Sequence, residues 1–79
     1  LIHEPKIALT SSDGGLSDIK EIIQESSKIL KRRGVLIIEH GYNQEDQVKD
    51  LLKDNYFSDI INIKDYQGLP RITYGILDK

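Results

Sequence analysis

Glu39-His40-Gly41 sets a carboxylate, an imidazole and a residue without a side chain in succession, with Gln44 three residues further on. Such a group could bind a metal, move a proton or shape a pocket wall. Two smaller constellations accompany it: His3 with Glu4-Pro5, and Asp65-x-x-Gly68-x-x-Arg71. A metal would need His3, Glu4, Glu39 and His40 to converge, and their spacing matches no helical or strand ligand motif. A nucleophilic triad would draw Ser11 or Ser12, His40 and Asp13 together, but no nucleophile elbow surrounds either serine. With no Cys in the chain, thiolate zinc, disulfides and thiol nucleophiles are excluded. Arg71 is read as pairing with Asp65 across a hairpin mouth rather than as a substrate ligand. Lys31, Arg32 and Arg33 could touch RNA, but cations at a helix C-terminus suit the helix dipole, which is the preferred reading. Tyr42, Tyr56, Tyr66 and Tyr74 read as half-buried packing residues.

These groups must be positioned by a few short elements. Residues 1–15 read as a loop: Pro5 holds the residues before it extended, and residues 10–15 have turn composition. A helix is predicted over 17–32, with Leu16, Ile19, Ile22, Ile23, Ile29 and Leu30 as its apolar stripe. Ser17 would cap it, and Gly34 would stop it. Val35-Leu36-Ile37-Ile38 is a continuous apolar run, as in a parallel strand covered on both faces, so a strand is predicted over 35–39. A second helix over 44–54 would carry Val48, Leu51 and Leu52 inward, with Asn43 as its cap and Asn55 in a left-handed turn at its end. Strands follow over 57–64 and 71–77. Ile60, Ile61 and Ile63 anchor the first, which reads as an edge strand, and Ile72, Tyr74 and Ile76 share one face of the second. The fold class is α/β: a parallel strand–helix–strand crossover followed by an antiparallel hairpin.

Length and composition limit the rest. Seventy-nine residues, 38% of them apolar, make at most one domain with a marginal core. A net charge of −2 argues against an electrostatic nucleic-acid binder. No apolar run approaches a membrane span, and no signal peptide is visible. The chain has no Met and begins with Leu1, which reads as a piece of a longer protein.

In order, the chain carries Glu4-Pro5-x-x-Ala8-Leu9, a Gly-Leu ahead of a helix, Gly34-x-Leu36-x-x-Glu39-His40-Gly41-x-x-Gln44 and Asp65-x-x-Gly68-x-x-Arg71. Together these resemble the C-terminal part of the HemK/PrmC family from Glu4 to Leu77. Its members are S-adenosylmethionine-dependent methyltransferases that modify the glutamine of a Gly-Gly-Gln motif in peptide chain release factors. The resemblance implies a class I methyltransferase (Rossmann-like) sheet, with residues 35–39, 57–64 and 71–77 as its last three strands. It implies a cytoplasmic enzyme in which the side-chain nitrogen of the release factor's glutamine attacks the sulfonium methyl group of the cofactor. The family's glycine-rich cofactor loop, its ribose-holding acid and its Asn-Pro-Pro-Tyr motif are absent from this sequence. Gly14-Gly15 is not read as a substitute, because no strand is expected before it. The family usually has Phe where His3 stands.

On this resemblance Glu4, Pro5, Glu39, His40, Gly41 and Gln44 support the substrate pocket without being catalytic. Glu39 and His40 either shape the pocket or, as preferred, hydrogen-bond the Glu4-Pro5 loop. Asp65, Gly68 and Arg71 form a structural hairpin. The isolated segment is expected to be inactive, with no cofactor site and no metal. Strand 35–39, lacking a neighbour on one side, is expected to self-associate through that edge. Two other readings stand beside this one: a related amino-methyltransferase acting on nucleic acid or another protein, and a small non-catalytic α/β binding module. No DNA or membrane partner is expected.

Overall fold

The computed structural model describes residues 2–11 and 15–79, residues 2–4 as backbone alone. In chain order the elements are β1 (Ile2–Glu4), β2 (Ile7–Ser11), α1 (Leu16–Ile29), β3 (Val35–Glu39), a 3-10 turn (Tyr42–Gln44), α2 (Glu45–Asp54), β4 (Phe57–Lys64) and β5 (Pro70–Leu77). They form one five-stranded sheet in the order β1-β2-β3-β5-β4. β2 runs parallel to β3, while β5 lies antiparallel between β3 and β4. The crossover from β3 through α2 to β4 is therefore parallel in direction, with β5 lying between the two strands. The hairpin of β4 and β5 is antiparallel, as expected, and β4 is an edge.

Within the stretch read as a loop, Ile2–Glu4 and Ile7–Ser11 are corrected to strands. Ile7–Ser11 alternates exposed and buried side chains, with Ala8 and Thr10 inward. Small inward residues hid the alternation, and pairing with β3 along five residues overrides the weak local signal. The expectation of a bare edge on β3 fails for the same reason, because β2 fills it. A strand also precedes Gly14-Gly15 after all, although residues 12–14 lie outside the described residues, and with them the Ser12 and Asp13 of the triad.

α1 begins one residue before its predicted cap. Gly15 is the N-cap and Ser17 lies exposed in the first turn. Its buried stripe is Ile19, Ile23, Ser26 and Ser27, while Ile29 is 44% exposed. The helix stops at Ile29, because Leu30 turns extended and the Lys31 N–H donates to Pro5 O at 2.7 Å. Lys31, Arg32 and Arg33 are thus a loop rather than a helix end. Gly34 serves a different purpose from the predicted stop: a Cβ there would lie 2.8 Å from Lys31 O. At the end of α2 the left-handed residue is Tyr56, at φ 71, not Asn55, whose Nδ2 donates to Leu51 O at 2.8 Å.

Both helices pack on one side of the sheet. Ile19, Ile23, Val48 and Leu52 close over Ala8, Leu36, Ile38 and Leu77 to form the core. The opposite side carries Ile7, Leu9, Val35, Ile37, Ile61, Ile63, Ile72, Tyr74 and Ile76 in register. Nothing among the described residues covers it, and Leu9 and Ile61 remain 45% and 48% exposed. β3 is therefore covered on one face, not both. Tyr42, Tyr56 and Tyr66 are exposed, so only Tyr74 keeps the predicted half-burial.

Candidate functional site

β2, β3 and β4 all point the same way, so their carboxyl ends meet at one rim, where ligands of open α/β sheets sit. Ser11, Glu39 and Lys64 end those strands, and Arg71 is the second residue of the returning β5 beside them. The His40 N–H donates to Arg71 O at 2.9 Å, which closes the β3 and β5 sides of the rim.

His40 is buried, at 4% exposure. Its Nδ1 lies 2.7 Å from Gly41 O, and a carbonyl only accepts, so Nδ1 carries the hydrogen. In the neutral ring Nε2 then accepts from the Thr73 hydroxyl, also at 2.7 Å. Thr73 Oγ1 in turn accepts from Asn62 Nδ2 at 2.9 Å. This chain of bonds ties the end of β3 to β5 and β4. It replaces the predicted bond from His40 to the Glu4-Pro5 loop; that loop's Pro5 carbonyl is taken by Lys31 instead. Glu39 is exposed on the other face, paired with Ser11 and Ile72. The side chains of His3 and Glu4 lie outside the described residues.

Gly41 and Gln44 shape the turn that follows. The Gly41 N–H donates to Gln44 Oε1 at 2.9 Å, and the Gln44 N–H to Gly41 O at 3.1 Å. A Cβ on Gly41 would press on Asn43 Oδ1 at 3.1 Å. Asn43 is thus a neighbour of the turn, not the helix cap, a place taken by Gln44. Sequence reasoning set Gln44 in the motif but did not foresee this reciprocal pair, although a polar residue three after a strand-ending Gly carries that signal.

Asp65 and Arg71 come together. Arg71 Nε donates to Asp65 Oδ2 at 3.0 Å, and Asp65 Oδ1 accepts the N–H groups of Gln67 and Leu69. Gly68 takes the left-handed turn at φ 83. The Leu69 N–H bond is the largest effect on the Asp65 carboxyl; desolvation, next in size, opposes it, and Arg71 and the Gln67 N–H add to it, so that the carboxyl is held below its ordinary value of 3.8. The Arg71 guanidinium also lies 5.7 Å from the centre of the Tyr42 ring. Sequence reasoning missed that stacking.

No group of three metal-binding side chains converges among the described residues. The rim residues do not fit a sulfonium nucleoside either. The buried polar atom there without a partner, Asn62 Oδ1, belongs to an amide already held by Thr73. A surface groove of about 310 Å³ lies instead between α1 and α2, lined by Leu16, Lys20, Asp50 and Leu51 among others. No helix among the described residues is long and apolar enough to cross a membrane.

No protein-family model matches the chain. A release factor glutamine methyltransferase of Buchnera aphidicola subsp. Schizaphis graminum is 44% identical over 75 residues, 95% of this chain and 27% of that protein. A protein of the same name from Pasteurella multocida is 36% identical over 72 residues, 91% of this chain and 24% of that protein. The chain spans about a quarter of the length of these curated relatives. Among solved structures, a release factor-specific protein-(glutamine-N5) methyltransferase from Alicyclobacillus acidocaldarius superposes with a TM-score of 0.71 at 20% identity, covering 94% of this chain and 49% of that one. The M1.HpyAVI–SAM complex gives 0.72 at 16% identity, covering 96% and 44%. The sheet is thus that of the S-adenosylmethionine-dependent class I methyltransferases, with an antiparallel strand inserted beside the last parallel one.

Proposed function

We propose that this chain is the C-terminal segment of a HemK/PrmC-family release factor glutamine methyltransferase, a cytoplasmic enzyme that methylates the glutamine of the Gly-Gly-Gln motif in peptide chain release factors. The observation that carries the reading is identity of 34–44% over nearly the whole chain to several enzymes of that name.

In this reading the segment supplies one wall of the substrate pocket, and S-adenosylmethionine is held by parts of the enzyme outside these residues. His40, Gly41 and Gln44 keep the carboxyl end of β3 in one conformation through bonds to Thr73 and to each other. Glu39 stands exposed at the same rim, and Glu4-Pro5 anchors the hairpin to the loop after α1. None of these groups needs to exchange a proton with substrate. Their contribution is orientation, and a small displacement of an oriented amide can cost a large part of the rate. Asp65, Gly68 and Arg71 stiffen the turn that borders the rim.

The test is methyl transfer by the intact enzyme from radiolabelled S-adenosylmethionine to purified release factor, with duplex DNA as a parallel acceptor. Label in the glutamine of the release factor supports the reading. Label in DNA, or in neither, refutes it. The isolated 79 residues should neither methylate nor bind the cofactor, and a micromolar complex in calorimetry would contradict that.

A further inference from the structure

We propose that Arg71 is a second, substrate-binding residue of the rim, whose guanidinium edge takes main-chain carbonyl oxygens of the polypeptide next to the methylated glutamine. The inference rests on the release-factor reading and adds a contact that reading does not assign.

The hydrogen bond to Asp65 uses only Nε of Arg71. Among the described residues neither Nη group has a partner, so four N–H donors remain, two of them side by side on the end of the guanidinium. The side chain keeps 41% of its surface exposed. It is nevertheless held on two sides, by Asp65 at 3.0 Å and by the Tyr42 ring at 5.7 Å. Asp65 is itself fixed by the Gln67 and Leu69 N–H groups. A long, flexible side chain has been made rigid while its best donors are left open, and rigidity lowers the entropy lost when a ligand binds.

The position suits a substrate. Arg71 stands beside the carboxyl end of β3, bonded through its own carbonyl to His40 N–H. The nature of the acceptor follows from charge. The pair with Asp65 is neutral, so a second carboxylate would meet the repulsion of Asp65, whereas a carbonyl dipole would not. A glycine-rich loop exposes such carbonyls without side chains in the way, and the open Tyr42 ring gives it a flat surface to lie on. A main chain, rather than an acidic side chain, is the matching ligand.

The experiment measures steady-state kinetics of the intact enzyme with release factor as the varied substrate. Arg71→Met should raise KM for release factor roughly ten- to hundredfold, the value of a charge-assisted hydrogen bond. The change in kcat should stay within about threefold. KM for S-adenosylmethionine should hold steady, and it is the preserved kcat that mere loosening of the hairpin, which would misorient the amide, would not give. Arg71→Lys should rescue little, since an ammonium lacks the fork. A KM for release factor within twofold of the parent overturns the proposal. If Arg71→Met fails to fold, Tyr42→Ala, which leaves the Asp65 pair intact, should raise the same KM severalfold, and an unchanged KM again overturns it. An unmodified enzyme that leaves release factor unmethylated removes the function itself and this proposal with it, a result distinct from a variant with unaltered KM.

Discussion

Thr73 carries more of the site than its small size suggests. It is fully buried, and its single hydroxyl both donates to His40 and accepts from Asn62. Thr73→Val keeps the shape and removes both bonds, leaving two buried polar groups unpaired. It should cost about 2 kcal/mol or more in urea unfolding, and Thr73→Ser much less; equal losses would mean that packing, not hydrogen bonding, matters there. Asp65 acts through pH. Its folded pKa is depressed, so its stabilisation is complete above its ordinary value of 3.8 and fades as pH falls below that toward the lower folded value. Asp65→Asn should flatten this acid limb in unfolding midpoints taken between neutral pH and pH about 3. An acid limb as steep as the parent's would assign it to other carboxylates. The sequence made the Asp65 and Arg71 pair legible, because two opposite charges flanked a turn. It could not disclose Thr73 as the partner of His40, since that contact spans 33 residues and joins two strands whose register is set by the whole sheet.

At the scale of elements, local pattern and sheet context disagree in informative places. β4 and the register of β5 followed from branched residues and a Gly-containing turn. β2 did not, because Ala8 and Thr10 are poor advertisements for a buried face, and only β3 gives them one. The end of α1 was misjudged because three cations after a helix look like a helix terminus. In the molecule the chain leaves the helix to bond the Pro5 carbonyl, and Arg33, at φ 71, donates to Leu77 O at 2.7 Å. This joint brings β3 beside the end of β5, and Gly34 sits at its centre. The Leu77 N–H donates to its carbonyl at 2.8 Å, while a Cβ would strike the Lys31 carbonyl at the same distance. Backbone on both sides leaves little room to relax. Gly34→Ala should therefore cost about 1–3 kcal/mol in chemical denaturation, as overpacking does elsewhere. A loss below about 0.5 kcal/mol would show that the joint yields freely.

For the whole molecule, the decisive asymmetry is between the two faces of the sheet. The helix side is closed and dry, with Leu36, Ile38 and Leu52 fully buried. The other side presents nine apolar side chains in three adjoining rows, with Leu9, Ile37, Tyr74 and Ile61 as the central one. A thin core was expected from length and composition, and one uncovered layer of the sheet accounts for it. The expected adhesive edge on β3 is absent as well, since β2 occupies it; the outer edges of the sheet are β1 and β4, and β4 is broken by a bulge with Asp59 at φ 51. A contiguous exposed apolar surface of this kind is the feature to test for association in solution. Two kinds of substitution separate the faces. Leu36→Ala should cost about 2–5 kcal/mol, as for any fully buried leucine. Ile61→Ala, with half its surface already in water, should cost about 1 kcal/mol. The pair Leu9→Lys and Ile61→Lys places two cations at the ends of the central row. It should sharply reduce the fluorescence of a dye that binds apolar surface, and reduce any concentration-dependent association seen by sedimentation, while the helix-side core stays intact. Dye binding that survives both lysines would place the sticky surface elsewhere, and the groove between α1 and α2 around Leu16 and Leu51 would be the next place to substitute.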